Sequence, residues 1–485
     1  MNKKVFDLYN KSKKILTNNS ATIITHSIDL LNFPYAFHEY FIERKKKILK
    51  KNIFEIIILL FFNIIKSNII WILIYLKNFF KKKEFETFEQ KVVIISHFVD
   101  QNSNKFNPKR DWVFNKIYEN LEQNLGTIKF ILFNYSKLEE KKIESNALFL
   151  KKSLSLCNEL KILVNQIKET KNIFFNFFLK KKIDFITCLQ ILSSIFTTET
   201  RSNLRLYIQF LEIQKKNEIK LLFFTYEGFS WEKLLIYSSR EINLDCKLVG
   251  YQFSYIPKNA SWVEFKKSKY CPDYIFTGGN FNKKKILKKN NFYKKKIFNV
   301  GSNKCFYVKK KSSTKLNCLI IPKGTFVESE AMLILSIKLA RLYPSTNFII
   351  RHHPFINLLK IFKKNFKLES YKPKNLIISK NSLKKDIKIS NLVIYRGSAL
   401  ILSAVINKSV PVYYKYLDNK NNIDPISDTK IKKFIIKNEI QFKKILENLQ
   451  YFDKKKIIKN QKFALDFFSR FKKKNISNFY KIINI

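Results

Sequence analysis

An α/β chain of two tandem, doubly wound parallel sheets facing a cleft is the fold class this sequence predicts, with an apolar helical extension at the N-terminus and a helical insertion in the first half. Three observations predict it. Short apolar runs such as "KVVIIS" (91–96) and "NLVIY" (391–395) alternate with amphipathic stretches from residue 91 onward. These runs lack the in–out alternation of a half-exposed sheet, so they read as strands covered on both faces. The alternation also runs twice, with a break near residue 305, which makes two units of similar plan.

The elements follow in order. Residues 1–88 form the extension. Its stretch from 53 to 80, "IFEIIILLFFNIIKSNIIWILIYLKNFF", is the most apolar part of the chain. Ile56–Leu76 is long enough to span a bilayer, but the central Lys66 is costly there. Basic clusters flank it on both sides, "ERKKKILKK" and "KNFFKKK", so no orientation follows from charge. The expected form is a hairpin of two short helices broken at "NIIKSN", lying in a membrane interface or packed on the protein. A single span and an ordinary core segment are the alternatives.

Residues 89–305 form the first sheet domain. Its expected strands are 91–96, 127–133, 219–224, 246–252 and 273–277, closed by "FNVGSN" (298–303), with a helix from Arg110 to about Glu122. Residues of about 147–215 read as inserted helices. Residues 306–430 form the second domain. Its expected strands are 316–321, 347–350, 375–379, 391–395 and 410–414, with helices over Glu328–Tyr343, to about Ile389, and over Ser398–Asn407. Pro344 stops the first of these helices. Residues 431–485 read as helical to the end.

Composition bounds the function. The chain has 485 residues, 46% of them hydrophobic, enough for real cores. The formal net charge is +54. Abundant Lys, Asn, Ile and Phe beside only 8 Gly, 10 Pro and 2 Met is the bias of an AT-rich genome. The lysines therefore read as solvated surface, open to an anionic membrane, and imply no specific nucleic acid. Six dispersed cysteines, without a C-x-x-C or zinc-ligand spacing, read as buried free thiols in a reducing compartment. "MNKKVFDLYNKSKKIL" has no apolar core, so no cleavable leader is expected.

Candidate site residues follow strands, where parallel sheets bind ligands. Arg351, His352 and His353 follow strand 347–350, with Pro354 suited to the first position of a helix. Arg351 can fork onto phosphate oxygens and His353 can donate an N–H. "YRGS" follows strand 391–394; there Arg396 adds charge, Gly397 permits close approach and Ser398 suits a helix cap. "PKGT" follows strand 316–321 and supplies Gly324, Thr325 and then Glu328. Together these loops read as a phosphate or diphosphate seat. In the first half, Glu227 ends strand 219–224 before Gly228 and is placed to take a proton from a hydroxyl. Glu232, Gln252 and His97, with Asp100 and Asn102 nearby, are candidate sugar or acceptor contacts. No Asp-x-Asp, Walker loop or G-x-S-x-G occurs, so no metal-held diphosphate and no serine hydrolase is expected.

The motifs "ISHF…RDWVFNKI", "YEGFSWEKLL…VGYQ", "RHHP" and "YRGSALILSAV" stand in this order. Over roughly residues 90–415 they resemble bacterial surface-carbohydrate glycosyltransferases of the GT-B type, the capsule and O-antigen kind, and among these the polysialyltransferase and capsule Kdo-transferase groups. The resemblance implies Rossmann-like domains, a nucleotide-sugar donor in the second and an acceptor near the first. It implies a base at Glu227, a donor-phosphate contact at His353 and the same phosphate or nucleotide at Ser398. Two departures stand out: Phe253 follows Gln252 where relatives often carry histidine, and Tyr226 replaces one of two acids before the glycine.

The expected function is metal-independent sugar transfer from a nucleotide sugar to a growing glycan or lipid-linked acceptor. No cofactor is expected. The expected place is the cytoplasm, peripheral on the inner face of the cytoplasmic membrane. The competing readings are an epimerase or non-catalytic protein on the same scaffold, and a basic nucleic-acid- or membrane-binding protein.

Overall fold

The structure is a computed structural model and describes residues 3–32, 47–78, 85, 87–98, 106–134, 146–256, 269–311, 315–353, 356, 358, 361, 372–416, 424–427 and 429–483. It has two compact units. The first comprises residues 1–276, 284–298 and 477–485, and the second 277–283 and 299–476. Each carries a parallel sheet with helices, as the sequence predicts for two Rossmann-like domains.

The first unit opens with α1 (Lys3–Leu16) and α2 (Ile23–Ser27). A long helix follows, α3 (Ile53–Asn78), and it corrects the expected hairpin: there is no break at "NIIKSN". The stretch holds no Pro or Gly. Its polar residues find partners instead of ending the helix. Asn63 Nδ2 donates to the Ser193 carbonyl at 3.0 Å. Asn68 Oδ1 accepts from the Arg201 guanidinium at 2.7 Å, and its amide donates to the Ile64 carbonyl at 2.8 Å. The same face buries Ile56 and Ser67 and packs Leu60 and Ile64 on the core.

The sheet of this unit has the order β3-β2-β1-β4-β5-β6-β7. Its strands are β1 (Val92–Phe98), β2 (Lys129–Asn134), β3 (Ala147–Phe149), β4 (Leu221–Thr225), β5 (Lys247–Gln252), β6 (Tyr274–Thr277) and β7 (Ile297–Asn299). From β3 through β5 the pairs are parallel. Val93, Ile94, Phe223 and Phe224 are fully buried, each worth about 1.5–3 kcal/mol against exposure. Helix α4 (Asn115–Leu125) follows β1.

The helical insertion starts one strand later than expected, because 147–149 pair with β2 as an edge strand. It consists of α5 (Leu156–Ile173), a π-turn (Phe174–Leu179), α6 (Phe185–Ile195) and α7 (Thr198–Lys216). Ser155, Asp184 and Thr197 cap the three helices by accepting backbone N–H bonds. At its centre Glu159 of α5 pairs with Arg201 at 3.2 Å and with Arg205 at 3.1 Å, all three side chains buried. Helix α8 (Ser230–Ile242) follows β4.

The second unit has the order β10-β9-β8-β11-β12-β13, every pair parallel. Its strands are β8 (Leu316–Ile321), β9 (Thr346–Arg351), β10 (Leu376–Ser379), β11 (Leu392–Tyr395), β12 (Val410–Tyr414) and β13 (Phe434–Ile436). β13 corrects the expectation that everything after 430 is helical: three residues there close the sheet on β12. The last residues belong to the first unit, where the Phe479 ring meets Phe223, Phe276 and Phe298 and Tyr480 Oη donates to Asn120 Oδ1 at 3.1 Å.

Candidate functional site

In the second sheet, β8, β9 and β10 run outward one way and β11, β12 and β13 the other. The order reverses between β8 and β11, where an open parallel sheet offers a ligand crevice at its carboxyl ends. The loops after β8, β9 and β11 meet there. The His353 imidazole lies against Gly324: a Cβ on that glycine would fall 2.5 Å from its Cε1. Glu328 ties the other two loops together, accepting the Lys323 backbone N–H at 3.0 Å and pairing with the Arg396 guanidinium at 3.5 Å. Both partners of that pair are buried, so the charge of Arg396 is held in place. Burial, with Lys323 nearby, brings the His353 pKa down to about 4. At neutral pH its imidazole is uncharged and keeps one N–H to donate.

Arg351 does not join this group. Its guanidinium turns to Asp386 and donates to the Asn381 carbonyl at 2.8 Å, while Ser379 Oγ donates to the same carboxylate at 2.6 Å. The expected fork onto phosphate is therefore replaced by an ion pair at the β10 edge. The cap assignments also change. Thr325 is the N-cap residue of the helix Phe326–Leu342, but its hydroxyl makes no cap bond. Ala399, not Ser398, is the N-cap residue of the helix Leu400–Ile406. Gly397 and Ser398 remain at the carboxyl end of β11 beside Arg396. Pro354 lies outside the described residues.

The closeness of Gly324 and His353 makes a test. Gly324→Ala puts a methyl where the imidazole sits. It is expected to weaken binding of a small anion such as inorganic diphosphate by about tenfold, the worth of one displaced hydrogen bond, with little loss of fold. Calorimetric titration beside circular dichroism measures both; undiminished affinity separates His353 from the seat.

In the first sheet the order reverses between β1 and β4. His97 lies at the end of β1 and Glu227 just past β4. Gly228 has φ of +88°, a left-handed turn that glycine permits. Glu232 is corrected from a sugar contact to a brace for this turn. Its carboxylate, wholly buried, accepts the backbone N–H groups of Glu227, Gly228 and Phe229 at 2.9, 2.6 and 2.9 Å. Burial and then the charge of Glu227 push its pKa well up. A glutamate at the third helical position is a sequence signal for this role. Tyr226 is core: its Cβ would be 2.7 Å from a Cβ at position 250, so Gly250 makes its room.

His97 stacks on Phe133 at 4.8 Å and meets the edge of Trp231 at 5.6 Å. Its Nε2 is 3.4 Å from Thr225 Oγ1, and burial brings its pKa down to about 4. Gln252 is buried, its amide donating to the Ser254 carbonyl at 2.7 Å. Sequence reasoning missed Trp112. This half-exposed ring donates through Nε1 to the His97 carbonyl at 3.1 Å and stands edge-on to Phe253 at 5.3 Å. Asp111 fixes it in place, accepting from Ser96 Oγ at 2.7 Å and from the Val113 N–H at 2.9 Å. Asp100 and Asn102 lie outside the described residues.

One unit thus gathers Lys323, His353 and the Glu328–Arg396 pair at the carboxyl edge of its sheet, and the other carries Glu227 just past β4 and a cluster of His97, Phe133 and Trp231 rings at the end of β1. No protein-family model matches the sequence, and no curated protein matches it. Solved structures with a similar backbone include the wall teichoic acid polymerase TagF (13% identity, 81% of this chain and 88% of that chain, TM-score 0.43). The glycotransferase of kitacinnamycin is another (7%, 81% and 98%, 0.47), as is the UDP-GlcNAc 2-epimerase from Methanocaldococcus jannaschii (12%, 81% and 99%, 0.41). These are remote likenesses and give no residue here a role.

Proposed function

We propose that the protein is a glycosyltransferase that moves a sugar from a nucleotide donor to a glycan or lipid-linked acceptor. The observation that carries this reading is the meeting of Lys323, Gly324, His353 and Arg396 where the second sheet reverses. In this reading the donor phosphate sits on those loops. Glu227 takes the proton of an acceptor hydroxyl, whose oxygen attacks the anomeric carbon. The bond from that carbon to the phosphate oxygen breaks, and the departing nucleotide keeps the electron pair. Arg396, Lys323 and the His353 N–H meet the charge that develops. Arg351 acts one step away, by holding the β9 loop to Asp386. Glu232 positions the base without touching the acceptor.

A thermal-shift panel tests the seat. Free nucleotides and sugar conjugates of CMP, UDP and GDP are each added to the protein and to His353→Ala. One nucleotide type is expected to raise the melting temperature, with the shift lost in His353→Ala. No shift with any of them, or the same shift in the variant, overturns the seat. Incubating the selected nucleotide sugar without acceptor then separates the chemistry: an epimerase releases a changed nucleotide sugar, a transferase does not.

A further inference from the structure

Helix α3 has one face built into the protein and one that is not. Phe54, Ile58, Phe61, Ile65, Ile69 and Leu73 recur every three or four residues, each more than half exposed. Such spacing is a single seam along the helix. At about 1.5 Å per residue it runs for nearly 30 Å, a contiguous apolar strip of the kind that marks an interaction surface. A second seam lies on α5, where Leu156, Leu160, Val164 and Ile167 are about half exposed, with exposed Lys161 and Lys168 next to them in the chain. The two helices share a centre: Arg201 bonds Asn68 of α3 and Glu159 of α5.

We propose that this face is a lipid-docking surface on which α3 lies flat in the interface of an anionic phospholipid bilayer. Three observations select that occupant and that orientation. The chain carries a formal charge of +54, and lysines flank α3 on both sides in the sequence. A second copy of so basic a chain is repelled, whereas an anionic surface is attracted. Lys66 is exposed at mid-helix with its ammonium 5.5 Å from the Phe62 ring centre. In a flat helix that ammonium reaches the headgroups; in a spanning helix it sits at the bilayer centre. Finally, Ile53–Leu73 is long and apolar enough to cross a membrane. Crossing would strip Asn63 and Asn68 from Ser193 and Arg201 and leave the buried charges of Arg201 and Glu159 without that cover. Lying flat keeps every one of these bonds.

The inference stands apart from the transferase reading, since its test contains no nucleotide. The full chain is sedimented with phosphatidylcholine vesicles with and without phosphatidylglycerol. Binding is expected to vesicles containing phosphatidylglycerol and to weaken with salt. Phe61→Glu, Ile65→Glu and Leu73→Glu together are expected to weaken it at least about tenfold, with an unchanged circular dichroism spectrum because all three side chains are exposed. Depth is read from a fluorophore on Phe54→Cys, Ile65→Cys or Leu73→Cys in a Cys157→Ser background, which removes the exposed cysteine among the described ones. Quenching by lipids labelled near the headgroup is expected to be alike at all three. Full binding by the triple variant, or no binding to phosphatidylglycerol by the native chain, overturns the proposal. So does a deep position 65 between two shallow ends, which marks a span, or a dimer that the triple substitution dissolves.

Discussion

Glu227→Gln is expected to lower sugar transfer by about 10²- to 10⁴-fold, the usual worth of a positioned general base. The amide has the size of the carboxylate and cannot accept the proton. The turn that carries it is held by its neighbours: Gly228 supplies the left-handed φ, and Glu232 accepts the three backbone N–H groups. The fold should therefore survive, and so should nucleotide binding, which the proposal assigns to the other unit. The measurement is a rate with the nucleotide sugar selected by thermal shift, taken beside the shift itself. A fall in rate with an unchanged shift is the expected pair. A rate near that of the native protein removes Glu227 from the chemistry and leaves the nucleotide seat standing.

The second large effect is on stability. Glu159→Ala is expected to destabilise the first unit by about 3–5 kcal/mol, the cost of leaving buried charge without its partner. Glu159 is wholly buried and is the carboxylate that pairs with both Arg201 and Arg205. Its removal leaves two like charges together in the helical layer that also anchors α3 through Asn68. No tryptophan occurs in residues 277–283 or 299–476, which make up the second unit. Tryptophan fluorescence in urea is therefore blind to that unit and reports the first through Trp71, Trp112 and Trp231. The control is Glu218→Ala, which removes an exposed pair with Lys91 and is expected to leave the midpoint where it was, because water screens such pairs. Equal midpoints for the two variants would contradict a buried charge centre.

The strands were legible because their signal is local. "KLNCLIIP", "NFIIR" and "NLVIY" are apolar runs of strand length between turn residues, and β8, β9 and β11 fall on them within a residue or two. Their carboxyl ends then located the loops with Gly324, His353 and Arg396, without any knowledge of which loop touches which. The misreadings share one cause. Asn63 and Asn68 looked like helix breakers because their partners, Ser193 and Arg201, lie 130 and 133 residues away. Arg351 looked available to phosphate because Asp386 lies 35 residues on. Glu232 is the exception, since its partners are three to five residues away and its position in the first turn of the helix is itself a local signal.

The sequence by itself determined the two parallel sheets, their approximate strands and which residues stand at the carboxyl ends of those strands, because burial on both faces writes an apolar run and a strand end writes a turn. Only the tertiary structure decided which charges are committed to the fold and which face the site, and that α3 is one helix with one covered face. A polar side chain's role depends on the partner that folding brings to it, and no local pattern records a partner a hundred residues away.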